Sequence, residues 1–116
     1  MMVAAGAAIA VRATFTIVTV HGGSMEPTFW DGDRVLAVRW SGRWHRMCGS
    51  AVVAEVRVPG LESAPKVVMK RLMQVCGDRC WLEGDSAHSL DSRQLGWIPV
   101  TGLRALVIIR LRSAGG

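Results

Sequence analysis

The chain has 116 residues, half of them hydrophobic, which suffices for one domain with a single modest core. Its formal net charge of +5 favours acidic partners such as anionic lipid headgroups, or belongs simply to a solvated face. The arginines are spread along the chain rather than gathered in a run, which argues against nucleic acid as a partner. Three cysteines without a further pair at ligand spacing argue against a zinc site, and we expect neither a metal nor a cofactor.

The N-terminal segment is apolar but too short to cross a membrane by itself. Residues 1–11 are uncharged and would span about 16 Å as a helix, against a hydrocarbon core of about 30 Å. Extending the helix to residue 20 would bring Arg12 near the middle of the bilayer, which is unfavourable. We therefore predict that residues 1–12 are the stub of a membrane helix or a helix lying at the interface. A start site placed too far downstream would give the same stub, and a cleaved secretory signal is disfavoured because no basic region precedes the apolar run.

Residues 13–112 are predicted to form one mainly-β domain of short antiparallel strands, followed by a disordered tail at residues 113–116. The segment after Arg12 is β-branched and alternating, which is typical of a strand. Turn-forming residues separate the later segments, as at Gly77-Asp78. The predicted strands are 14–20, 33–39, 51–58, 66–76, 79–84 and 104–111.

The cysteines and tryptophans give two further expectations. Cys76 and Cys80 bracket the predicted tight turn, and in an oxidising compartment they could form a disulfide that leaves Cys48 free; the alternative is three ordinary thiols. Trp40 and Trp44 lie beside several arginines and are candidates for a membrane-facing tip. The tryptophans expected to fill the core are Trp81 and Trp97.

A candidate nucleophile follows the first predicted strand directly. Gly22 and Gly23 allow positive φ angles and the close approach of a substrate, and Pro27 fixes φ just beyond Ser24. A serine on such a strand-end turn can present its hydroxyl and its backbone N–H, which are the nucleophile and the oxyanion donor of acyl transfer. The alternative is an ordinary surface turn.

A candidate base lies inside an apolar predicted strand. Lys70 is preceded by Val67, Val68 and Met69, although lysine is rarely buried unpaired. Burial would lower its pKa, and a neutral amine near pH 7 can take a proton from a serine hydroxyl. The alternative is a lysine on the solvent face of an edge strand.

A polar loop at residues 84–93 holds two carboxylates, a guanidinium, a histidine and three hydroxyls. Such a loop suits the hydrogen-bonded support of a neighbouring site, whereas the charges of a solvated loop would pair only weakly. His88 could pair with a serine, but nothing in the sequence selects it over Lys70 as the base.

Together, these segments resemble the signal peptidase I family, which includes the mitochondrial inner-membrane peptidases. Residues 23–28, Gly-Ser-Met-Glu-Pro-Thr, look like the family's nucleophile box, and residues 32–38 look like the strand that follows it. Residues 69–72, Met-Lys-Arg-Leu, resemble the lysine box, and residues 84–96 resemble the closing box. The four boxes occur in the family's order. The closing box departs from the usual pattern because its asparagine is absent and the interval before its serine is one residue shorter.

The resemblance implies a serine endopeptidase with a signal peptidase/LexA-like fold that cleaves a signal or pro-segment after small residues. Ser24 would attack the scissile carbonyl, Lys70 would be the general base and Ser89 would orient the lysine. The oxyanion donor would be the N–H of Ser24, since Gly22 offers no side-chain donor. The residues carried over as supports of the site are Gly23, Arg71, Asp85, Asp91 and Arg93. Those carried over as lining the substrate pockets are Thr16, Ile17, Val18, Val20 and Met25.

The resemblance also implies a cell-membrane location, with the catalytic domain on the extracytoplasmic side. The partners would be a precursor protein or signal peptide and the membrane surface, with the protein acting as a monomer. No cofactor is implied.

Two other functions remain as rivals. A self-cleaving repressor of the LexA type shares the Ser-Lys dyad, but the 23 residues before Ser24 leave no room for its DNA-binding helical domain. An inactive basic β-module that binds peptide or membrane would keep the fold without activity. The intact Ser24 and Lys70 argue against that module.

Overall fold

A computed structural model describes residues 15–40, 42–58, 60 and 65–113. Its strands are β1 Phe15–Thr19, β2 Arg34–Arg39, β3 Ala51–Val56, β4 Lys66–Cys76, β5 Arg79–Glu83, β6 Ile98–Pro99 and β7 Leu103–Arg112. They form one sheet in the order β1-β2-β7-β3-β4-β5-β6, in which every neighbouring pair is antiparallel. The helical elements are α1 Ser92–Leu95 and two short 3₁₀ helices, Trp44–Met47 and Val100–Gly102.

The mainly-β prediction is confirmed, and the six predicted strands are present, with β4 at its predicted bounds and the ends of the others shifted by at most two residues. Sequence reasoning missed β6, which is only two residues long and contains a proline, and it missed α1. The signal for α1 was in the sequence, because Asp91 and Gln94 form a capping box at its N-terminus. The predicted stub at residues 1–12 and most of the predicted tail lie outside the described residues. Within the described ranges, no helix has the length and apolar character needed to cross a membrane.

The core lies on both faces of the central strand. β3 is apolar at every position except Glu55, and it is flanked by β7 and β4. Alternate side chains of β3 enter different clusters, as the two-residue period of a strand requires. The larger cluster contains Val52, Ala54, Val56, Leu72, Leu82, Leu103 and Leu106. The smaller cluster contains Val20, Met25, Val35, Ala51 and Met69.

β1 and β4 each have an edge that pairs with no other strand of the described residues. β4 pairs with β3 from Lys66 to Arg71, but its pairing with β5 begins only at Arg71. The other edge of β4 from Lys66 to Lys70 therefore has no strand beside it among the described residues. β1 is the terminal strand of the sheet and pairs with β2 alone within the described ranges. These two edges frame the cavity described below.

The β4–β5 hairpin corrects the disulfide prediction. Its tight turn is present, with Gly77 at φ +62°. The register pairs Cys80 with Val75 and Cys76 with Arg79, and directly paired residues share a face, so the two thiols point to opposite faces of the sheet. Cys80 is buried, Cys76 is exposed, and all three cysteines are free thiols. The predicted turn is right, and the proposed bridge across it is wrong.

The tryptophan expectations are also corrected. Trp44 begins a 3₁₀ helix and is buried in the larger cluster, with Trp40 packed against that cluster, so they form no membrane-facing tip. Trp97 is 41% exposed rather than a core residue, and it contacts the half-buried Trp81 edge to face at 5.2 Å between ring centroids. Glycine and arginine near Trp44 suggested an exposed loop, but the 3₁₀ helix turns the indole inward.

Candidate active site

A cavity of about 440 Å³ lies between the free edges of β1 and β4. Ser24 and Lys70 both line this cavity, which brings the predicted nucleophile and the predicted base to one site. Most of the remaining wall is aliphatic. The aliphatic and thioether lining residues are Val18, Val20, Met25, Val53, Val56, Val58, Val67, Val68, Met69, Leu82, Leu90, Leu95 and Ile98.

The turn that carries Ser24 is anchored at both ends. Before it, the amide of Val20 donates to the Asp33 carbonyl at 2.8 Å, and the amide of Gly32 donates back to the Val20 carbonyl at 2.8 Å. Gly22 adopts φ +82°, and its amide donates to Oδ1 of Asp31 at 2.8 Å. This positive φ explains the glycine at position 22, because other residues rarely adopt it.

Ser24 itself is half-buried at the cavity wall and is followed by a buried methionine. Met25 is 1% exposed and fixes the turn to the smaller core cluster. No backbone carbonyl in the described part of the chain accepts the Ser24 N–H. Gly23 does not use a positive φ, and a Cβ at this position would lie 2.8 Å from the flexible carboxylate of Glu26.

Lys70 is buried at the wall of the same cavity, which rules out the solvent-face alternative. It is 6% exposed, and its Nζ donates to Oγ of Ser89 at 2.7 Å. Burial lowers the pKa of Lys70; the Asp91 charge raises it, and the Arg93 charge lowers it further, leaving a net decrease. The neutral amine is therefore more populated at a given pH than in an exposed lysine.

Ser89 connects the lysine to a buried carboxylate. The side chain of Asp91 is completely buried and accepts from the Gly84 amide at 2.7 Å and from Nη2 of Arg93 at 2.7 Å. Burial alone would raise the pKa of Asp91, but hydrogen bonds from Arg93, Gly84 and Ser89 hold it far below its usual value. Asp91 is therefore ionised. It accepts a hydrogen bond from the Ser89 hydroxyl, while Ser89 Oγ accepts one from Lys70.

A second carboxylate of the loop, that of Asp85, connects the turn that carries Ser24 to β4. Asp85 accepts from Nε and Nη2 of Arg71 at 2.8 and 2.7 Å, and from the Thr28 hydroxyl at 2.5 Å. The hydrogen bonds from Arg71 are the main cause of the lowered pKa of Asp85. Because Arg71 follows Lys70 directly, this pair holds Thr28 near the lysine strand.

The loop at residues 84–89 lies directly against Ser24. The amide of Ser86 donates to the Ser24 carbonyl at 2.9 Å. A Cβ at Gly84 would overlap both this carbonyl oxygen and the Ser89 side chain. Sequence reasoning did not assign a role to Gly84 or to Thr28, although both lie in the boxes that it identified.

The predicted pocket residues divide into two groups. Val18, Val20 and Met25 line the cavity, whereas Thr16 and Ile17 lie outside its lining. Ile17 points to the opposite face of β1 from Val18 and is 56% exposed. Thr16 lies farther along β1, where it pairs with Ala37.

The position of His88 does not support it as the alternative base. His88 is exposed and does not line the cavity, and its amide donates to Oγ of the neighbouring Ser86 at 3.2 Å. His21 does line the cavity, as does Lys66 at the other end of the free β4 edge. Neither residue was predicted at the site.

The described residues thus bring a serine and a buried lysine to one apolar cavity beside an antiparallel sheet. No family model matches the chain. The chain is 34% identical to mitochondrial inner membrane protease subunit 1 of Schizosaccharomyces pombe, across 84% of this chain and 73% of that protein. The chain therefore belongs to the family of signal peptidase I-like proteases that contains this subunit.

Proposed function

We propose that the chain is a serine endopeptidase of the signal peptidase I type, with Ser24 as nucleophile and Lys70 as general base. The main observation in support is a lysine with a pKa lowered by burial, in the same apolar cavity as a serine on a strand-end turn. Family membership supports the protease class independently of this geometry.

The first half of the reaction uses the hydroxyl of Ser24. Neutral Lys70 takes the hydroxyl proton as Oγ attacks the scissile carbonyl carbon, and the N–H of Ser24 donates to the oxyanion that forms. The Lys70 ammonium then gives its proton to the departing amine, which leaves an ester on Ser24. In the second half, Lys70 removes a proton from water, the hydroxide attacks the ester, and the regenerated ammonium returns a proton to Oγ.

Ser89 orients the base. Because its hydroxyl proton is directed to Asp91, Ser89 Oγ meets Lys70 as an acceptor and holds one N–H of the amine. The lone pair of a neutral amine points away from the N–H that it donates. In this arrangement Ser89 and Asp91 fix the direction of the lone pair without taking part in the proton transfer.

The substrate is proposed to bind as an extended strand between β1 and β4. Both strands offer free edges there, and main-chain hydrogen bonding to a sheet edge is a common mode of peptide recognition. The lining of valine, leucine and methionine fits small apolar side chains before the scissile bond. A signal or pro-segment of a precursor protein is the class of substrate that this preference describes.

Membrane contact is proposed through the β1-β2-β7 part of the sheet. Ile17, Leu36 and Ile109 lie in one register row across these strands, and both isoleucines are more than half exposed. Arg34 and Arg112 pair two positions farther along β2. An apolar row beside a basic row suits an anionic bilayer, and the relative is an inner membrane protease. Co-sedimentation with anionic vesicles tests this, and equal binding by Ile17→Ser would contradict it.

The catalytic domain is proposed to act on the extracytoplasmic side of the membrane, as a monomer.

The test of the central proposal uses an internally quenched peptide with alanine at the first and third positions before the scissile bond. Ser24→Ala and Lys70→Met should each reduce cleavage by at least about a thousandfold, since removing a nucleophile or its base has effects of this size. Ser50→Ala, outside the cavity, is the matched serine control and should cleave normally. Normal cleavage by Lys70→Met would refute the dyad, and uncleaved peptide with the unmutated protein would favour the inactive β-module.

A further inference from the structure

The guanidinium of Arg110 lies behind the turn that carries Ser24. It donates to the carbonyl oxygen of Thr28, its Nε lies 3.3 Å from Oδ2 of Asp33, and its Cζ lies 5.2 Å from the ring centroid of Phe29. All three partners belong to the segment that leads from Ser24 into β2. The contacts connect β7, near the end of the chain, to the nucleophile turn.

The contact between Arg110 and Asp33 should stabilise the fold more than an exposed ion pair does. The Asp33 side chain is 0% exposed, and its Oδ2 also accepts from the Trp30 amide at 2.9 Å. A buried carboxylate needs a cation and hydrogen-bond donors, because desolvation of the charge is otherwise strongly unfavourable. Arg110 supplies the cation, and its own side chain remains partly exposed.

Thr28 is the point where two sets of contacts meet. Its carbonyl accepts from Arg110, and its hydroxyl donates to Asp85, which Arg71 binds with two hydrogen bonds. Its amide donates to the carbonyl of Met25, the residue after Ser24, at 2.9 Å. The nucleophile turn is therefore held between β7 on one side and the lysine strand on the other.

We propose that Arg110 is a positioning residue for Ser24: it fixes the turn from Met25 to Asp33, so that the Ser24 hydroxyl stays within reach of Lys70. The proposal rests on the proposed Ser-Lys function. Arg110 does not line the cavity, so it acts through the turn rather than on the substrate. A displacement of a catalytic group by about 1 Å reduces rates by about a hundredfold.

The kinetic test compares Arg110→Gln with Arg104→Gln, which removes the same charge from the same strand but breaks an exposed ion pair with Glu55 instead. With the quenched alanine peptide, Arg110→Gln should lower kcat by about ten- to a hundredfold and leave KM within about twofold. Arg104→Gln should keep the unmutated kcat, because Arg104 does not line the cavity. Arg110→Lys should recover part of kcat, because its ammonium can still pair with Asp33 but cannot match all contacts of the guanidinium. Unchanged kcat in Arg110→Gln would overturn the proposal.

Amide hydrogen exchange tests the positioning without relying on catalysis. Arg110→Gln should speed exchange of the amides of Thr28, Phe29 and Asp33 by about tenfold or more, with the amides of β3 and β4 unchanged. Uniform acceleration across all strands would overturn the proposal, because Arg110 would then be a general stabilising residue. If the peptide is not cleaved by the unmutated protein, the proposed function fails while the exchange result still decides whether Arg110 fixes the turn.

Discussion

The two carboxylates of the polar loop support the site in different ways. The Asp91 side chain is completely buried, and through Ser89 it acts on Lys70. The Asp85 side chain is 16% exposed, and with Arg71 it holds Thr28 at the nucleophile turn. Of these two carboxylates, only Asp91 influences the pKa of Lys70, which its charge raises. In the proposed mechanism, the buried carboxylate therefore influences the charge state and direction of Lys70, whereas the more exposed one holds the turn that carries Ser24.

Replacement of the buried carboxylate should have the largest effect. In Asp91→Asn the free energy of unfolding should fall by about 3 kcal/mol, because Arg93 and the Gly84 amide lose a buried anionic acceptor. The cleavage rate should fall because Ser89 no longer has a fixed direction. The midpoint of the pH–rate profile should also move to lower pH, since Asp91 raises the pKa of Lys70 and its charge is gone.

Chemical denaturation and a pH–rate profile measure these effects. Ser89→Ala is the companion variant, because it breaks the Lys70 contact and keeps the Asp91 charge. If the midpoint for Asp91→Asn moves to higher pH, the proposed role of its charge is wrong.

Replacement of the more exposed carboxylate should have a smaller effect of another kind. Asp85→Asn weakens the Arg71 and Thr28 contacts and should lower the free energy of unfolding by about 1 kcal/mol, as expected for a partly exposed ion pair. The value of kcat should fall by about tenfold as the nucleophile turn loosens, but the pH–rate midpoint should stay in place. Glu55→Gln, which breaks the exposed Arg104 pair away from the turn, is the matched control. A shift of the midpoint in Asp85→Asn would remove the distinction between the two carboxylates.

Much of the fold was predictable because it depends on local patterns. Alternating apolar residues and glycine turns located six strands, and the boxes around Ser24, Lys70 and Ser89 identified the residues that share the site. The missed features depend on register or on distant contacts. The faces of Cys76 and Cys80 follow from strand pairing, and Arg110 reaches Thr28 across 82 residues of sequence. No local pattern predicts either one.

The most direct test of the account is the titration of Lys70 by NMR. Lys66 and Lys70 are the only lysines of the sequence, so protein labelled with ¹³C at the lysine Cε gives one signal for each, and Lys66→Arg assigns them. We predict that the Lys70 signal titrates below the usual value of about 10.4, because burial disfavours its ammonium.

The lowered pKa of Lys70 also determines how this residue contributes to stability as the pH changes. Between the lowered pKa of folded Lys70 and the ordinary pKa of the unfolded chain, the unfolded state binds more protons, so the contribution of Lys70 to stability rises with pH across that interval. A Lys70 signal that titrates near 10.4 or above would contradict the account, since an amine that stays charged at neutral pH cannot serve as the base for Ser24.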